Sequence, residues 1–485
     1  MKNTLLLALA LLAIPTLANS QTISDKKFTK TNSLVFEASG FVNFSAAMQN
    51  QASSFENKKL PDGFNRNYSH EKGSVGNDSQ VFLKTGLMDK NGVKYGAVAK
   101  FEVNVNSNGR KENPNLDQNF IFAESDFGNF EFGNNFAVNQ KMKVGAARLA
   151  KGAGGINGKY LEHVNLSMLT DSSQNSAPVC SGSVGSTACQ NVKLPSFILL
   201  AQSPIGHGGG AKSFYRRDST GFGSNEFNRI NFRALKDNSF DGFEDATKIN
   251  YYSPRISGLQ FGASYTPSSA NNGLTANTSR DIESIRIKNI FSFGVNYSQD
   301  FDNLAAAFSA TAEKGKVKNS KSAANDQRND LMAYDIGASL SYFGFTLGAS
   351  YGSWQKSLQQ KNGIYSCDYN ASQSLALQNC SNDAQKFSNP HYFSAGISYE
   401  IGPIGASITS IKSEFQKNEY QAISLGLDYK LTRDLMPYFE VTKYAFTSNQ
   451  VQASDVANQG GMPSSQRHLK DNQGYVFLTG ILLSF

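Results

Sequence analysis

The last twelve residues of the chain, GYVFLTGILLSF at positions 474–485, decide the class of fold. Side chains of a β-strand point alternately to the two faces of a sheet. One face of this segment carries Tyr475, Phe477, Thr479, Ile481, Leu483 and Phe485. The alternation predicts a strand whose outer face meets lipid, and the terminal aromatic is typical of a strand that ends at a membrane interface.

The same period of two recurs from about residue 34 to the end of the chain. It is clear in residues 34–46 and 94–104, where apolar residues alternate with Lys, Glu, Ser and Asn. Further examples are residues 259–266, 291–298, 334–342, 345–354, 393–400 and 423–430. A β-sandwich explains a few such strands, but it does not easily explain so many polar faces that carry charge.

The connections between these strands alternate between short and long. Short turns are predicted at residues 89–92, 126–129, 253–258, 302–303, 343–344, 401–405 and 431–435. Long polar segments lie between them, at residues 49–79, 106–117, 136–228, 270–284, 317–330, 358–390 and 448–472. Tight turns at one end and long loops at the other are typical of outer-membrane barrels. We therefore predict an all-β transmembrane antiparallel barrel of sixteen strands.

Two details of the strands stay open at this point. The inward face of the strand near residue 120 is ambiguous, because Phe120, Phe122 and Glu124 share one parity. A Gly-x-x-Tyr repeat also recurs, and several of its tyrosines end strands that run into short turns. An aromatic girdle explains the tyrosines, and the ordinary strand preference of Tyr is the alternative.

Composition excludes other classes of protein. The chain has 485 residues, of which 39% are hydrophobic and 18% charged, and no apolar run after residue 20 approaches the roughly 18 residues of a membrane-spanning helix. Its 35 Phe and 20 Tyr argue against disorder. The net charge of +7 is spread along the chain, so we expect no nucleic-acid partner.

The first twenty residues, MKNTLLLALALLAIPTLANS, predict a secretory signal peptide. Lys2 precedes a short apolar core, and the small residues Ala18 and Ser20 suit cleavage before Gln21. A membrane anchor is the alternative, but the apolar run is too short to span a bilayer. The expected mature domain is therefore residues 21–485.

Four cysteines form two local pairs in polar sequence, Cys180 with Cys189 and Cys367 with Cys380. In an oxidising compartment these spacings predict two loop disulfides. Metal binding is the alternative, and no histidine lies near either pair.

The chain resembles the Gram-negative general porins, which have sixteen strands and are usually trimeric. The most specific stretches are KYGAVAKFE (94–102), FGNFEFGNN (127–135), KINYYSPRISGLQFGASYTP (248–267) and the terminal Phe485. The resemblance implies passive diffusion of small hydrophilic solutes and ions through a water-filled channel. It also implies a homotrimer in the outer membrane, a third loop folded into the barrel, contact with lipid and lipopolysaccharide, and an assembly signal at Phe485 that the barrel assembly machinery reads.

Charged residues on the polar faces are the candidates for the lumen wall, since a low-dielectric pore focuses the field of its charges. By alternation we predict as pore-lining Lys84, Lys100, Glu102, Glu131, Lys248, Glu313 and Asp335.

The segment 136–228 is the candidate for the inward loop, or for an outer loop that touches lipopolysaccharide phosphate. Its first part is rich in cations, and we predict as constriction residues Lys141, Lys143, Arg148 and Lys151. In the family this loop often brings acids to face basic wall residues. The departure from that pattern predicts a weak anion preference.

No catalytic motif, metal site or cofactor is predicted. GHGGGAKS at 206–213 resembles a phosphate loop, but Ala211 stands where a glycine belongs before the lysine, so we interpret it as a flexible loop. The rival functions are an outer-membrane barrel enzyme, such as a lipase, and an adhesin or structural barrel.

Overall fold

A computed structural model describes residues 34–52, 72–103, 115–157, 159–163, 197–199, 211–213, 246–269, 286–318, 329–357, 366–367, 380–381, 389–415, 418–448 and 471–485. The predicted signal peptide, residues 1–20, lies outside these ranges, as do Cys180 and Cys189. Among the described residues, no helix combines the length and hydropathy needed to cross a bilayer.

Within these ranges, sixteen antiparallel strands form one closed barrel. The barrel strands are β1 (Val35–Asn50), β2 (Gly73–Met88), β3 (Lys94–Glu102), β4 (Asn115–Ser125), β5 (Gly128–Asn134), β8 (Thr247–Tyr252), β9 (Leu259–Ser268), β10 (Arg286–Phe301), β11 (Leu304–Lys318), β12 (Leu331–Tyr342), β13 (Phe345–Ser353), β16 (His391–Ile401), β17 (Ile404–Phe415), β18 (Asn418–Tyr429), β19 (Leu435–Ser448) and β20 (Asp471–Ser484). Two small hairpins lie in the connections, β6 (Phe197–Leu199) with β7 (Ala211–Ser213) and β14 (Ser366–Cys367) with β15 (Cys380–Ser381). The predicted fold class and strand number are confirmed.

The barrel closes where the last strand pairs with the first. Phe44 of β1 faces Ile481 of β20, and the pairing extends to the terminal residue. The Gly40 and Phe485 backbones exchange two hydrogen bonds, of 2.8 and 3.0 Å. A Cβ at Gly40 would lie 2.7 Å from Cζ of Phe485, so glycine makes room for the terminal ring. Closure leaves neither strand with an unpaired edge.

The two faces of the wall have opposite chemistry. On β20 the outward side chains of Phe477, Ile481 and Leu483 are exposed, whereas the inward Val476 and Leu478 are buried. The same holds around the barrel, where outward positions carry exposed Phe, Ile and Leu and inward positions carry Ser, Thr, Asn and charged residues. An apolar outer band around a polar interior is the pattern of a barrel in lipid.

The short turns occur where the sequence predicts them. In the turn between β2 and β3, the carboxylate of Asp89 accepts hydrogen bonds from the backbone N–H groups of Asn91 and Val93, and Gly92 has a φ of 85°. Phe343 and Gly344 join β12 to β13 with φ values of 45° and 82°. Two positive φ angles give the hairpin twist that matches paired strands.

The tyrosines at the ends of these strands face outward, next to the short turns. Tyr342 is 54% exposed and Tyr429 is 44% exposed, and Tyr399 packs on Phe345 with ring centroids 4.2 Å apart. This is the placement expected of an aromatic girdle at one membrane interface.

The register of β4 resolves the ambiguous face. Phe122 faces Gly96 across the β3–β4 pair and Phe120 faces Val98. Since Val98 in turn faces the inward Lys84 of β2, both phenylalanines point into the barrel.

Cys367 and Cys380 are direct partners in the β14–β15 hairpin. Facing residues of an antiparallel pair have Cα atoms about 4.5–5.5 Å apart, which lies within the roughly 4.4–6.8 Å that a disulfide needs. The register therefore supports the predicted Cys367–Cys380 bond.

We predict that peptide mapping without reduction recovers Cys367 linked to Cys380. Replacing both by Ser should leave the heat-dependent gel mobility of the barrel unchanged, because closing so short a loop constrains the unfolded chain by only about 3 kcal/mol and touches no barrel strand. Free thiols at both positions in protein isolated without reductant would contradict the prediction.

Candidate pore constriction

The chain that leaves β5 at Asn134 does not continue away from the barrel but turns into it. Its described part, residues 135–157 and 159–163, is called here the inward loop. It contains the short helix α1 (Val138–Lys141) and three 3-10 turns, Ala146–Arg148, Gly155–Asn157 and Lys159–His163. Its apolar side chains are buried against the inner wall, including Val138, Met142, Ile156 and Tyr160. This loop narrows the lumen.

The inward loop has little regular structure, so its backbone N–H groups need partners from the wall. Hydroxyl groups of the wall supply several. Ser264 of β9 accepts a hydrogen bond from the N–H of Val138 at 2.8 Å. Ser309 of β11 does the same for Val144 at 2.8 Å. Both serines are less than 5% exposed, so the loop seals them from water.

Carboxylates hold the second half of the loop in the same way. Asp428 of β18 accepts from the N–H of Gly152 at 2.9 Å, and Glu440 of β19 accepts from the N–H of Gly155 at 2.9 Å. Each carboxyl group thus gives a buried backbone N–H of the loop the partner that it would otherwise lack. These two acids therefore fix the loop against β18 and β19.

Wall glycines form the floor on which the loop lies. A Cβ at Gly337 of β12 would lie 1.8 Å from the carbonyl oxygen of Val144, and one at Gly348 of β13 would lie 3.1 Å from the Ala146 backbone. Every glycine of the Gly-x-x-Tyr repeat lies beneath a residue of the loop: Gly262, Gly294, Gly348, Gly396 and Gly426. The glycines of the repeat thus mark the part of the wall on which the loop packs, and its tyrosines lie on the outer face.

The lysines of the loop pair with acids of the wall. Lys141 lies 2.6 Å from Glu131, which also accepts hydrogen bonds from Asn135 and Asn250. The other loop–wall pairs are Lys143 with Asp335 at 3.7 Å, Lys159 with Asp78 at 2.8 Å, and Lys151 with Glu400. A basic loop on an acidic wall reverses the charge arrangement that the resemblance implies.

Arg148 lies in the middle of the loop and is half-buried. Burial lowers the pKa of Arg148 to about 10, and the nearby Asp335 opposes that shift. The guanidinium therefore stays charged at neutral pH, close to Lys143 and Asp335.

A family model for Gram-negative porins matches residues 201–449, slightly more than half of the chain. The chain belongs to the Gram-negative porin family. Its barrel is therefore an outer-membrane β-barrel, with the short turns at the periplasmic end and the long loops outside.

Proteins of two Rickettsia species are similar to this chain over most of its length. An uncharacterized protein of Rickettsia bellii is 27% identical over 409 residues, which cover 75% of each chain. An uncharacterized protein of Rickettsia conorii is 24% identical over 380 residues, 69% of this chain and 70% of that one.

Solved porin structures are similar at low identity. An anion-selective porin from Comamonas acidovorans gives a TM-score of 0.48 at 13% identity and covers 93% of this chain and 100% of its own. The outer-membrane channel DcaP of Acinetobacter baumannii gives 0.47 at 10% identity, with 94% and 99% covered.

The predicted wall residues of this porin divide into two groups. Lys84 and Glu102 are half-buried on the inward face. The others are covered by the inward loop or its root: Lys100, Glu131, Lys248, Glu313 and Asp335 are each at most 8% exposed. Lys248, for example, is fully buried and donates to the carbonyl oxygens of Asn135 and Ala246. These residues hold the loop in place.

The predicted loop residues lie together on the inward loop. Lys141 and Lys151 have partly exposed side chains, at 19% and 29%, whereas Lys143 is buried at 5%. Within the described ranges, no group of three or more His, Cys, Asp or Glu residues is arranged to hold a metal ion.

Sequence reasoning did not single out the acids that fasten the loop, above all Glu440 and Glu400. It also missed Tyr160, which is fully buried and hydrogen-bonds Tyr420 of β18. The inward glycines of the Gly-x-x-Tyr repeat were the available signal for the position of the loop. A glycine inside a strand often marks a place where another backbone approaches closely.

We predict that Gly337→Ala displaces the inward loop towards the lumen. The new Cβ would overlap the Val144 carbonyl, and such overpacking costs about 1–3 kcal/mol, which a loop releases by moving. Single-channel conductance in potassium chloride should fall, while the barrel still resists detergent until heated.

The matched control is Gly76→Ala on β2, where a Cβ would meet only Ser45 Oγ at 3.8 Å. Wild-type conductance for Gly337→Ala would show that the loop does not rest on β12 as described.

Proposed function

We propose that this porin is a passive channel for small hydrophilic solutes and ions, with a weak preference for anions and no catalytic step. The observation that carries the proposal is a closed barrel with a polar inward face, narrowed by a loop that the wall holds at many points. A solute then moves down its own gradient, and the loop sets the size limit.

Reconstitution of the purified protein into planar bilayers tests the channel. Stepwise, ohmic conductance increments in potassium chloride are expected, because a water-filled lumen conducts in proportion to voltage. Protein that folds as a barrel but gives no conductance would favour one of the alternative functions, an outer-membrane enzyme or an adhesin.

The anion preference follows from the depth of the charges. In the pair of Lys141 with Glu131, the lysine side chain is 19% exposed and the carboxylate 9%; for Lys143 with Asp335 the values are 5% and 0%. Each of these pairs has its positive end nearer to water. Lys159 with Asp78 has the opposite order, at 14% and 29%, so the preference is small.

We predict reversal potentials of anion sign across a potassium chloride gradient at low salt, fading as salt screens the lumen. The double variant Arg148→Gln with Lys151→Gln should lower the chloride-to-potassium permeability ratio roughly twofold, since a charge near a confined ion is worth about 1–4 kcal/mol at 4 Å and less at pore distances.

Lys90→Gln is the control for that experiment, because Lys90 is exposed on the turn between β2 and β3, away from the inward loop. A clear cation preference of the wild type would refute the proposal. An unchanged ratio in the double variant would show that these two cations do not face the ion path.

The proposed assembly is a homotrimer in contact with lipid and lipopolysaccharide. Asn119 of β4 is exposed on the outward face beside Ala99, and a polar amide there is costly against lipid but suits contact with a second copy. Exposed outward lysines at the ends of strands next to the long loops suit the phosphates of lipopolysaccharide; they are Lys314, Lys412 and Lys443.

The pairing of Phe485 with Gly40 closes the barrel, which suits an assembly signal.

A further inference from the structure

Two phenylalanine rings face the lumen on β4, where a water-filled barrel normally presents polar side chains. Phe120 and Phe122 are half-buried, so each keeps part of its ring open to the lumen. Being two residues apart on one strand, they lie about 6.8 Å from each other along the wall.

The wall is built to hold the Phe122 ring. The inward position beside it is Gly96 of β3, and the next along the wall is Gly86 of β2. A Cβ at Gly96 would lie 2.0 Å from the carbonyl oxygen of Thr85 and 2.9 Å from Cζ of Phe122, so the close approach of β2 and the phenylalanine ring both require glycine here. Glycine at this site lets an aromatic ring lie across the neighbouring strand as a platform.

Each of the two rings has an ammonium group over it. Lys84 Nζ lies 5.4 Å from the centroid of the Phe122 ring. Lys141 Nζ lies 5.1 Å from the centroid of the Phe120 ring. Both lysine side chains are partly exposed, so a lumenal solute reaches a ring and a cation together.

A third lysine–phenylalanine cluster nearby is buried, and its contacts serve only to pack the wall. Lys100 Nζ lies 5.7 Å from the Phe82 centroid and 5.5 Å from the Phe136 centroid. These three residues are 2%, 4% and 9% exposed, so that cluster is closed to solutes. Phe120 and Phe122 repeat the arrangement but are only half-buried.

We propose that Phe120 and Phe122 with Lys84 and Lys141 form a binding site in the channel for anionic solutes that carry a planar apolar ring, such as aromatic carboxylates. The solute ring packs edge-to-face against the half-buried Phe122 ring beside Lys84, and its carboxylate accepts a hydrogen bond from the Lys84 ammonium group. Lys141, which is paired with Glu131, is the second cation of the site. The site rests on the proposed channel function, since solutes reach it only through the lumen.

The composition of the site selects this chemical class. A cationic solute is repelled by Lys84, whereas the charge of Lys141 is already paired with Glu131. A small inorganic anion gains nothing from the rings, and a neutral ring compound gains nothing from the ammonium groups. Weak binding of this kind suits a channel, because a solute that binds must also leave.

The experiment measures current through single channels in potassium chloride with added sodium benzoate or sodium acetate. Half-maximal reduction of the potassium chloride conductance should require less benzoate than acetate. Phe122→Leu keeps an apolar side chain but removes the aromatic face. It should raise the half-maximal benzoate concentration by roughly two- to tenfold, the value of one aromatic contact.

Further variants separate the two halves of the site. Phe122→Leu should leave the acetate response unchanged, whereas Lys84→Gln should weaken the responses to both acids. Phe122→Tyr keeps the ring and should retain the preference for benzoate. Phe308→Leu is the matched control, because Phe308 faces outward from β11 and is 44% exposed to lipid.

Two outcomes overturn the proposal while leaving the porin function intact. One is potassium chloride conductance with equal sensitivity to benzoate and acetate in the wild type. The other is an unchanged benzoate response in Phe122→Leu, or, if that variant does not fold, in Phe120→Leu. Absence of any conductance would instead refute the channel itself, so the two failures are distinguishable.

Discussion

The structure depends on one constraint: a chain segment that enters the barrel must find hydrogen-bond partners for its backbone on the wall. A buried N–H without a partner costs about 1–3 kcal/mol, which exceeds what most single contacts contribute. The inward loop meets this demand through Ser264 and Ser309 in its first half and through Asp428 and Glu440 in its second. The polar inner face of the barrel is therefore also the scaffold of the constriction.

The same constraint explains why the wall combines glycine with charge. The backbone of the loop approaches β12 closely enough that Gly337 has no room for a side chain, while Asp335, two residues earlier on the same face, lies beside Lys143. On β12, a glycine that makes room for the loop backbone thus follows an acid that pairs with a loop lysine. Three of the acids that a sequence pattern assigns to the open lumen, Glu131, Glu313 and Asp335, are covered because they fasten the loop. Lys84 on β2 and the two phenylalanines of β4 stay half-buried.

Much of the fold follows from local signals in the sequence. The alternation of residues 475–485 and the short turns at 302–303 and 343–344 locate strands and their ends, because side-chain parity and turn chemistry act over a few residues. The site is different. Gly155 and its acceptor Glu440 are 285 residues apart, and Lys141 reaches Glu131 only because the loop turns inward after Asn134. The first contact needs strands from opposite ends of the chain to meet in one barrel, and the second needs the inward turn of the loop; no local pattern encodes either.

Phe122 shows how strand register assigns a side chain that the sequence pattern leaves ambiguous to one face of the barrel. Its parity with Phe120 and Glu124 fits either face of β4, since the segment offers apolar and polar residues to both. Only the register with β3, which sets Phe122 opposite Gly96, turns the ring inward. The ring then lies where the focused field of the lumen and the Lys84 ammonium act together, so a residue type that elsewhere in this barrel meets lipid becomes part of the solute path.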